Sequence, residues 1–200
     1  EVCTVTLENT LITDQDALPN PMPADYTWAF TTTYCDASFT PVYAIQGSGA
    51  SAAITGPVTT QGVVVGDFEG PSPALRGYYI QDAAGDGNPA TSDGIFIYNN
   101  SDSNNVSLGQ VVRVTGAAAE YQGQTQITAA SLTQCGAGAS VAPTDISLPF
   151  ASADYPERYE GMLVRFPDRL YVTEHYLLGR FGQVTLSSGG RLMQPTGQVA

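Results

Sequence analysis

Between Val58 and Ser131 the sequence falls into five stretches of β-branched and aromatic residues, set apart by breaks rich in Gly, Asn and Asp. VTTQGVVVGDFE (58–69) reads as a long strand, and GYYIQD (77–82) and DGIFIY (93–98) follow it as two shorter ones. A polar connection, NNSDSNNVSLGQ, leaves room for one short helical turn. VVRVTGAAAEYQ (111–122) and QTQITAAS (124–131) then form a hairpin through Gly123. Almost no stretch carries apolar residues at helical spacing, and twenty-one Gly and thirteen Pro punctuate the chain, so the fold class is all-β.

Three strands, a connection and a hairpin are what a five-stranded Greek-key barrel of the OB type requires. Gly62 and Gly66 fall inside the first strand, where they allow the sharp coiling and the bulge that let one strand pair with both halves of a barrel. An Ig-like sandwich is the competing architecture, but its seven-strand rhythm is missing. Residues 35–140 are assigned to the barrel. Residues 141–200 begin the pattern again, with 159–174 as a long curved strand interrupted by Pro167, and 182–188 and 190–196 as the next two. The expectation there is a partial second OB-like β unit, cut off before its last two strands.

The chain has no Lys, and its net charge is -12. Thirteen acids face only Arg76 and Arg113 in residues 1–140, whereas six acids face five Arg in 141–200. A polyanion would therefore meet repulsion over the first part, and contact with nucleic acid is better placed at Arg158, Arg165, Arg169, Arg180 and Arg191. One His and three scattered Cys exclude a structural zinc site. Cys35 and Cys135 bracket the strand-rich block and are expected to form a disulfide, which places the chain in an oxidising, extracytoplasmic setting, secreted or at the cell surface. No apolar run reaches the length of a membrane span.

The acidic loop QDAAGDGNPATSDG holds Asp82, Asp86 and Asp93 at the first, fifth and twelfth places of a calcium loop, with Gly87 at the sixth. Ala84 stands where a third ligand belongs, and Asp93 replaces the bidentate Glu. Two uses stay open: Ca²⁺ held by Asp82, Asp86, Asn88 and Asp93, or Asx turns made by the same side chains without metal. Tyr79, Phe96 and Tyr98, on the second and third strands, are candidates for stacking bases or sugars, with Arg76 and Arg113 as nearby cations. Tyr78 alternates with Tyr79, and Phe96 with Tyr98, so one of each set is expected to face outward.

His175, the sole His, sits in a strand-like run with Glu174 pointing to the other face, and no catalytic role is assigned to it. GSGASA (47–52) lacks a following helix to hold a pyrophosphate, and without Lys no phosphate loop of the Walker kind exists. No catalytic residue is assigned anywhere in the chain.

Residues 1–34 resemble the closing strands of a bacterial Ig-like domain of the surface-layer type, through Asn20, Met22, Asp25, Tyr26, Trp28, Phe30, Thr31 and Thr32. The segments YAIQGSG, GVVVGDF, GYYIQD, ERYEGMLVRFP, LYVTEHYLLGRFGQVTLSSGGRL and QPT, over residues 41–196, resemble the accessory N-terminal region of ExeM/NucH-type extracellular endonucleases of bacteria. That resemblance implies a piece of a longer, secreted protein whose catalytic domain, of the endonuclease/exonuclease/phosphatase kind with Mg²⁺ or Ca²⁺, lies downstream. The implied partners are that domain and, weakly, extracellular nucleic acid. An acidic, calcium-stiffened spacer is the alternative, and glycan binding through the same aromatics is a third use.

Overall fold

The computed structural model describes residues 2–14, 18, 20–31 and 34–193, in two compact units, Glu1–Ser38 and Phe39–Ala200. In the first unit β1 (Val2–Leu7) pairs antiparallel with β2 (Tyr26–Thr31), bringing Cys3 opposite Phe30 and Val5 opposite Trp28. The connection between them is held by carboxylates: Asp25 accepts from the Asn9 amide at 2.7 Å and Asp14 from the Asn20 amide at 2.9 Å. Tyr26 and Trp28, two residues apart on one face, lie 5.8 Å apart and are exposed. Thr32, one of the residues carrying the Ig-like resemblance, lies outside the described residues.

The second unit opens with a short helix, α1 (Val42–Gln46), and then β3 (Gly56–Phe68), β4 (Gly77–Gln81), β5 (Gly94–Tyr98), β6 (Val111–Tyr121) and β7 (Gln124–Gly136). These five strands close into a barrel in the order β3-β4-β5-β7-β6. β3 pairs with β6 over Gly56 to Val63 and with β4 over Val63 to Phe68, with a bulge between Val64 and Gly66. Both Gly62 and Gly66 thus lie where the strand changes partner, and at Gly62 a Cβ would come within 2.9 Å of the Gln81 carbonyl oxygen. β5 and β7 run parallel; the other ladders are antiparallel. The turn from β6 to β7 takes two residues, Gln122 and Gly123, both at positive φ (53° and 80°), the twist that lets tightly joined strands stay paired.

Alternate residues point inward. Val58, Val64, Tyr78, Ile80, Ile95, Ile97, Val112, Val114 and Ile127 form one cluster, all nearly inaccessible, and α1 adds Val42 and Ile45. Each large aliphatic or aromatic side chain contributes about 1.5–3 kcal/mol by leaving water. The polar connection 99–110, which has room for a short helical turn, forms none and is pinned by a carboxylate. Glu69, 9% exposed, accepts from the Asn99 side chain, from the side-chain amide of Asn105 at 2.9 Å, and from the backbone amides of Asn105 and Val106. These donors meet the charge that burial would otherwise leave uncompensated.

Beyond the barrel, β8 (Thr144–Asp145) pairs parallel with β9 (Val164–Arg165), and β10 (Tyr171–Glu174) pairs antiparallel with β11 (Thr185–Ser187), the latter two joined through the short α2 (Leu178–Phe181). The single long strand expected over 159–174 is therefore not formed. Tyr155–Tyr159 is a 3-10 turn, Gly161 has φ of 72°, and regular pairing is lost between Arg165 and Tyr171, around Pro167. Residues 190–193 are not in a strand, and 194–196, the remainder of that expected strand, lie outside the described residues. Cys35 and Cys135 are both oxidised in disulfide linkage, and Cys3 is a free thiol. Among the described residues no helix is long and apolar enough to cross a membrane.

Glu69→Ala removes an acceptor from four buried or half-buried donors and is expected to lower stability by about 3 kcal/mol, seen as a lower urea midpoint by circular dichroism. Glu69→Gln, which keeps one acceptor, should lose less; equal midpoints for wild type and Glu69→Ala would show that the connection is held by something else.

Candidate binding groove

The alternation that buries Tyr78 and Ile80 turns Tyr79 outward, and on β5 it buries Ile95 and Ile97 while turning both Phe96 and Tyr98 outward. The expectation of one outward residue in each set is met at Tyr78/Tyr79 and corrected at Phe96/Tyr98, which stand two residues apart and so share a face. Register then assembles the surface: Tyr79 is opposite Phe96, and Phe96 opposite Gln126. The Tyr79 and Phe96 rings are 4.9 Å apart, and Phe68 meets Tyr79 edge-on at 5.8 Å. Hydrogen bonds fix the tyrosines: the Gln124 amide donates to the Tyr79 hydroxyl at 3.0 Å, and the Tyr98 hydroxyl donates to the Asn100 side chain at 2.7 Å.

Tyr79, Phe96, Tyr98, Gln124 and Gln126 floor an open groove of about 760 Å³ between the β3–β4 connection, which supplies Leu75, and the β6–β7 hairpin end, which supplies Tyr121 and Gln122. Tyr79 also borders a second depression of about 410 Å³ walled by Phe68, Met162, Leu163 and Val164. Phe96 is only 5% exposed and supports its neighbours, whereas Tyr121 is 59% exposed at the rim. None of the residues lining either depression is charged. Tyr121, Gln122, Gln124 and Gln126 were not singled out from sequence; their signal is position, because residues flanking a two-residue hairpin turn lie beside whatever face the hairpin borders.

The two arginines expected beside the aromatics are used elsewhere. Arg76, at φ of 60°, pairs with Asp102 at 3.0 Å and donates to the Asn100 carbonyl at 2.9 Å. Arg113 lies on β6, opposite Gln61 and Thr133, with its guanidinium 5.9 Å from the Phe39 ring, and is not part of the groove. Of the later arginines, Arg165 makes a two-pronged pair with Asp145 at 2.6 and 2.8 Å, and Arg158 and Arg180 lie over Tyr155 and Phe181. His175 is exposed, its amide donating to Glu174 at 2.7 Å.

In the acidic loop the side chains bond the backbone. Asp82 accepts from the amides of Ala84 and Gly85, Asp86 from that of Asn88, and Asn88 from that of Ala90, all between 2.8 and 3.2 Å, which are Asx turns. Thr91 adds a hydroxyl to both oxygens of Asp86. Burial, then the charges of Asp86 and Asp82, push the Asp93 carboxyl above its ordinary value. Among the described residues no group of three or more His, Cys, Asp or Glu is placed to hold a metal ion.

A strap built on Tyr155–Tyr159 and the residues after it seals one end of the barrel. Ser92 donates to the Glu160 carbonyl at 2.6 Å, the Leu163 amide to Gln81 at 2.9 Å, and the Thr125 amide to the Glu160 carboxyl at 2.6 Å. Gly161 passes so close to β5 that a Cβ there would stand 2.8 Å from the Ile95 nitrogen. Burial pushes Glu160 up to about 7, with the charges of Glu157 and Glu120 acting in the same direction.

No family model matches the chain, and neither a curated protein nor a solved structure matches it at a significant level.

The folded chain holds the Glu160 proton more tightly than the unfolded chain, where the group titrates near 4.5. Its contribution to stability therefore falls as pH rises from about 4.5 through 7 and is level on either side. Melting temperatures measured across that window should decline for wild type and stay flatter for Glu160→Gln; parallel curves would remove Glu160 as the cause.

Proposed function

We propose that this chain is a non-catalytic accessory region of a secreted nuclease, and that its part is to place a catalytic domain of the endonuclease/exonuclease/phosphatase kind, not to cleave. On this reading the barrel is of the OB type, residues 1–34 are the last strands of an Ig-like domain, and the chemistry belongs to a downstream domain with its own Mg²⁺ or Ca²⁺. The observation that carries the reading is the strand order β3-β4-β5-β7-β6 with parallel β5 and β7, which brings the outward residues Tyr79, Tyr98 and Gln126 of three neighbouring strands onto one side of the barrel. Oxidised Cys35 and Cys135 agree with an extracytoplasmic setting.

Nucleic acid reaching this surface meets rings and amides but no cation, because Arg76 is held by Asp102 and Arg113 stands on another strand. Contact with bases by stacking is open to it; neutralisation of phosphate is not. A second reading, an acidic spacer with no ligand of its own, is favoured by the net charge of -12 alone.

Two measurements test the proposal. Incubated with plasmid DNA or RNA and either Mg²⁺ or Ca²⁺, the chain should leave both intact; cleavage that survives purification would overturn it. Anisotropy titrations with labelled oligo-dT should show weak binding whose log K against log salt has a slope near zero. Each neutralised phosphate of a single strand would add about -0.7 to that slope, so a steep negative slope would reveal a basic contact surface outside the groove.

A further inference from the structure

We infer that the groove on β4, β5 and β7 is a binding cleft for a neutral, hydroxyl-rich chain, that is, an uncharged glycan. The inference rests on reading that face as the ligand-placing surface of the accessory region, and it names the ligand.

Charge selects first. The chain carries -12 overall, yet neither depression has a charged residue in its lining. A polyanion finds no cation there and meets the repulsion of the whole molecule; a cationic ligand finds no carboxylate to hold it. What remains is polar and neutral. Gln122 and Gln126 each carry a donor and an acceptor, as does the Thr128 hydroxyl, and a sugar hydroxyl presents the same pair in return. Tyr79, Tyr98 and Tyr121 add rings against which the apolar face of a pyranose can lie.

Shape selects next. The groove is open to solvent, and Tyr79 borders both it and the depression beside Met162, so the surface suits an extended chain more than an enclosed small molecule. A peptide in the usual extended mode would add to a sheet edge, and the closed barrel has none to offer. The surface is also set in advance: Gln124 and the flanking rings of Phe68 and Phe96 hold Tyr79, and Asn100 holds Tyr98, so little freedom is lost on binding.

The test uses the full chain. Affinity electrophoresis in gels cast with neutral polysaccharides (starch, xylan, galactomannan, hydroxyethylcellulose) is followed by calorimetry with soluble oligosaccharides of whichever retards it. At least one neutral polymer should retard the chain, and Tyr98→Ala and Tyr121→Ala should each weaken binding by at least about tenfold, one stacking platform lost. Tyr176→Ala, at an 85% exposed position away from the groove, should bind as wild type does. Circular dichroism melts confirm that the variants fold. Retardation that survives both groove substitutions overturns the inference. So does binding confined to oligo-dT or to polygalacturonate, although the accessory reading then stands. No retardation by any polymer overturns it too, and leaves the acidic spacer.

Discussion

β3 must belong to two sheets at once. Its first part hydrogen-bonds β6 and its second part β4, and only a strand that coils sharply midway can serve both. Gly62 makes room for the Gln81 backbone at the point of exchange, and the bulge between Val64 and Gly66 supplies the extra turn. A side chain at 62 would press on the Gln81 main chain, so β3 and β4 could not approach as closely as closure requires. Closure is what divides every strand into an inward residue that builds the core and an outward one available for contact. The groove is the outward half of that division on three adjacent strands.

Much of this was legible. β-branched and aromatic residues in period two, broken by Gly and Asn or Asp, located all five barrel strands to within a few residues, because burial on one face is what forces that pattern. β7 ran on to Gly136, beyond the expected Ser131, since its later residues pair with the start of β6 and their mixed polarity carries no alternation. The helix α1 escaped notice because five residues between Pro41 and Gly47 are too few to show a helical period.

The strap misled for a different reason. Met162, Leu163, Val164 and Phe166 read as a strand because they are apolar in close succession. They are half-buried because the end of the barrel covers them, and their main-chain partners are Gln81 and Tyr159 as well as β8. Apolar content reports that a segment is covered, not by what. Arg76 is the matching case at the groove: adjacency to Gly77 and Tyr78 put it beside the aromatics, but its positive φ and its pairing with Asp102 turn it to the loop. Charge near a site in sequence becomes charge in the site only when backbone direction permits.

The acidic excess follows the same rule. Asp14, Asp25, Glu69, Asp82, Asp86, Glu120 and Glu174 each accept from backbone amides, so much of the negative charge is used to hold main chain in place. Glu160 differs, because its carboxyl is half-buried against Thr125, where two other acids raise the cost of its charge. The groove is lined by rings, amides and hydroxyls, with no carboxylate, imidazole or amine among its lining residues. Met162, Leu163 and Val164, which follow Glu160, wall the depression that Tyr79 also borders, so the strap and the groove have Tyr79 as a common neighbour.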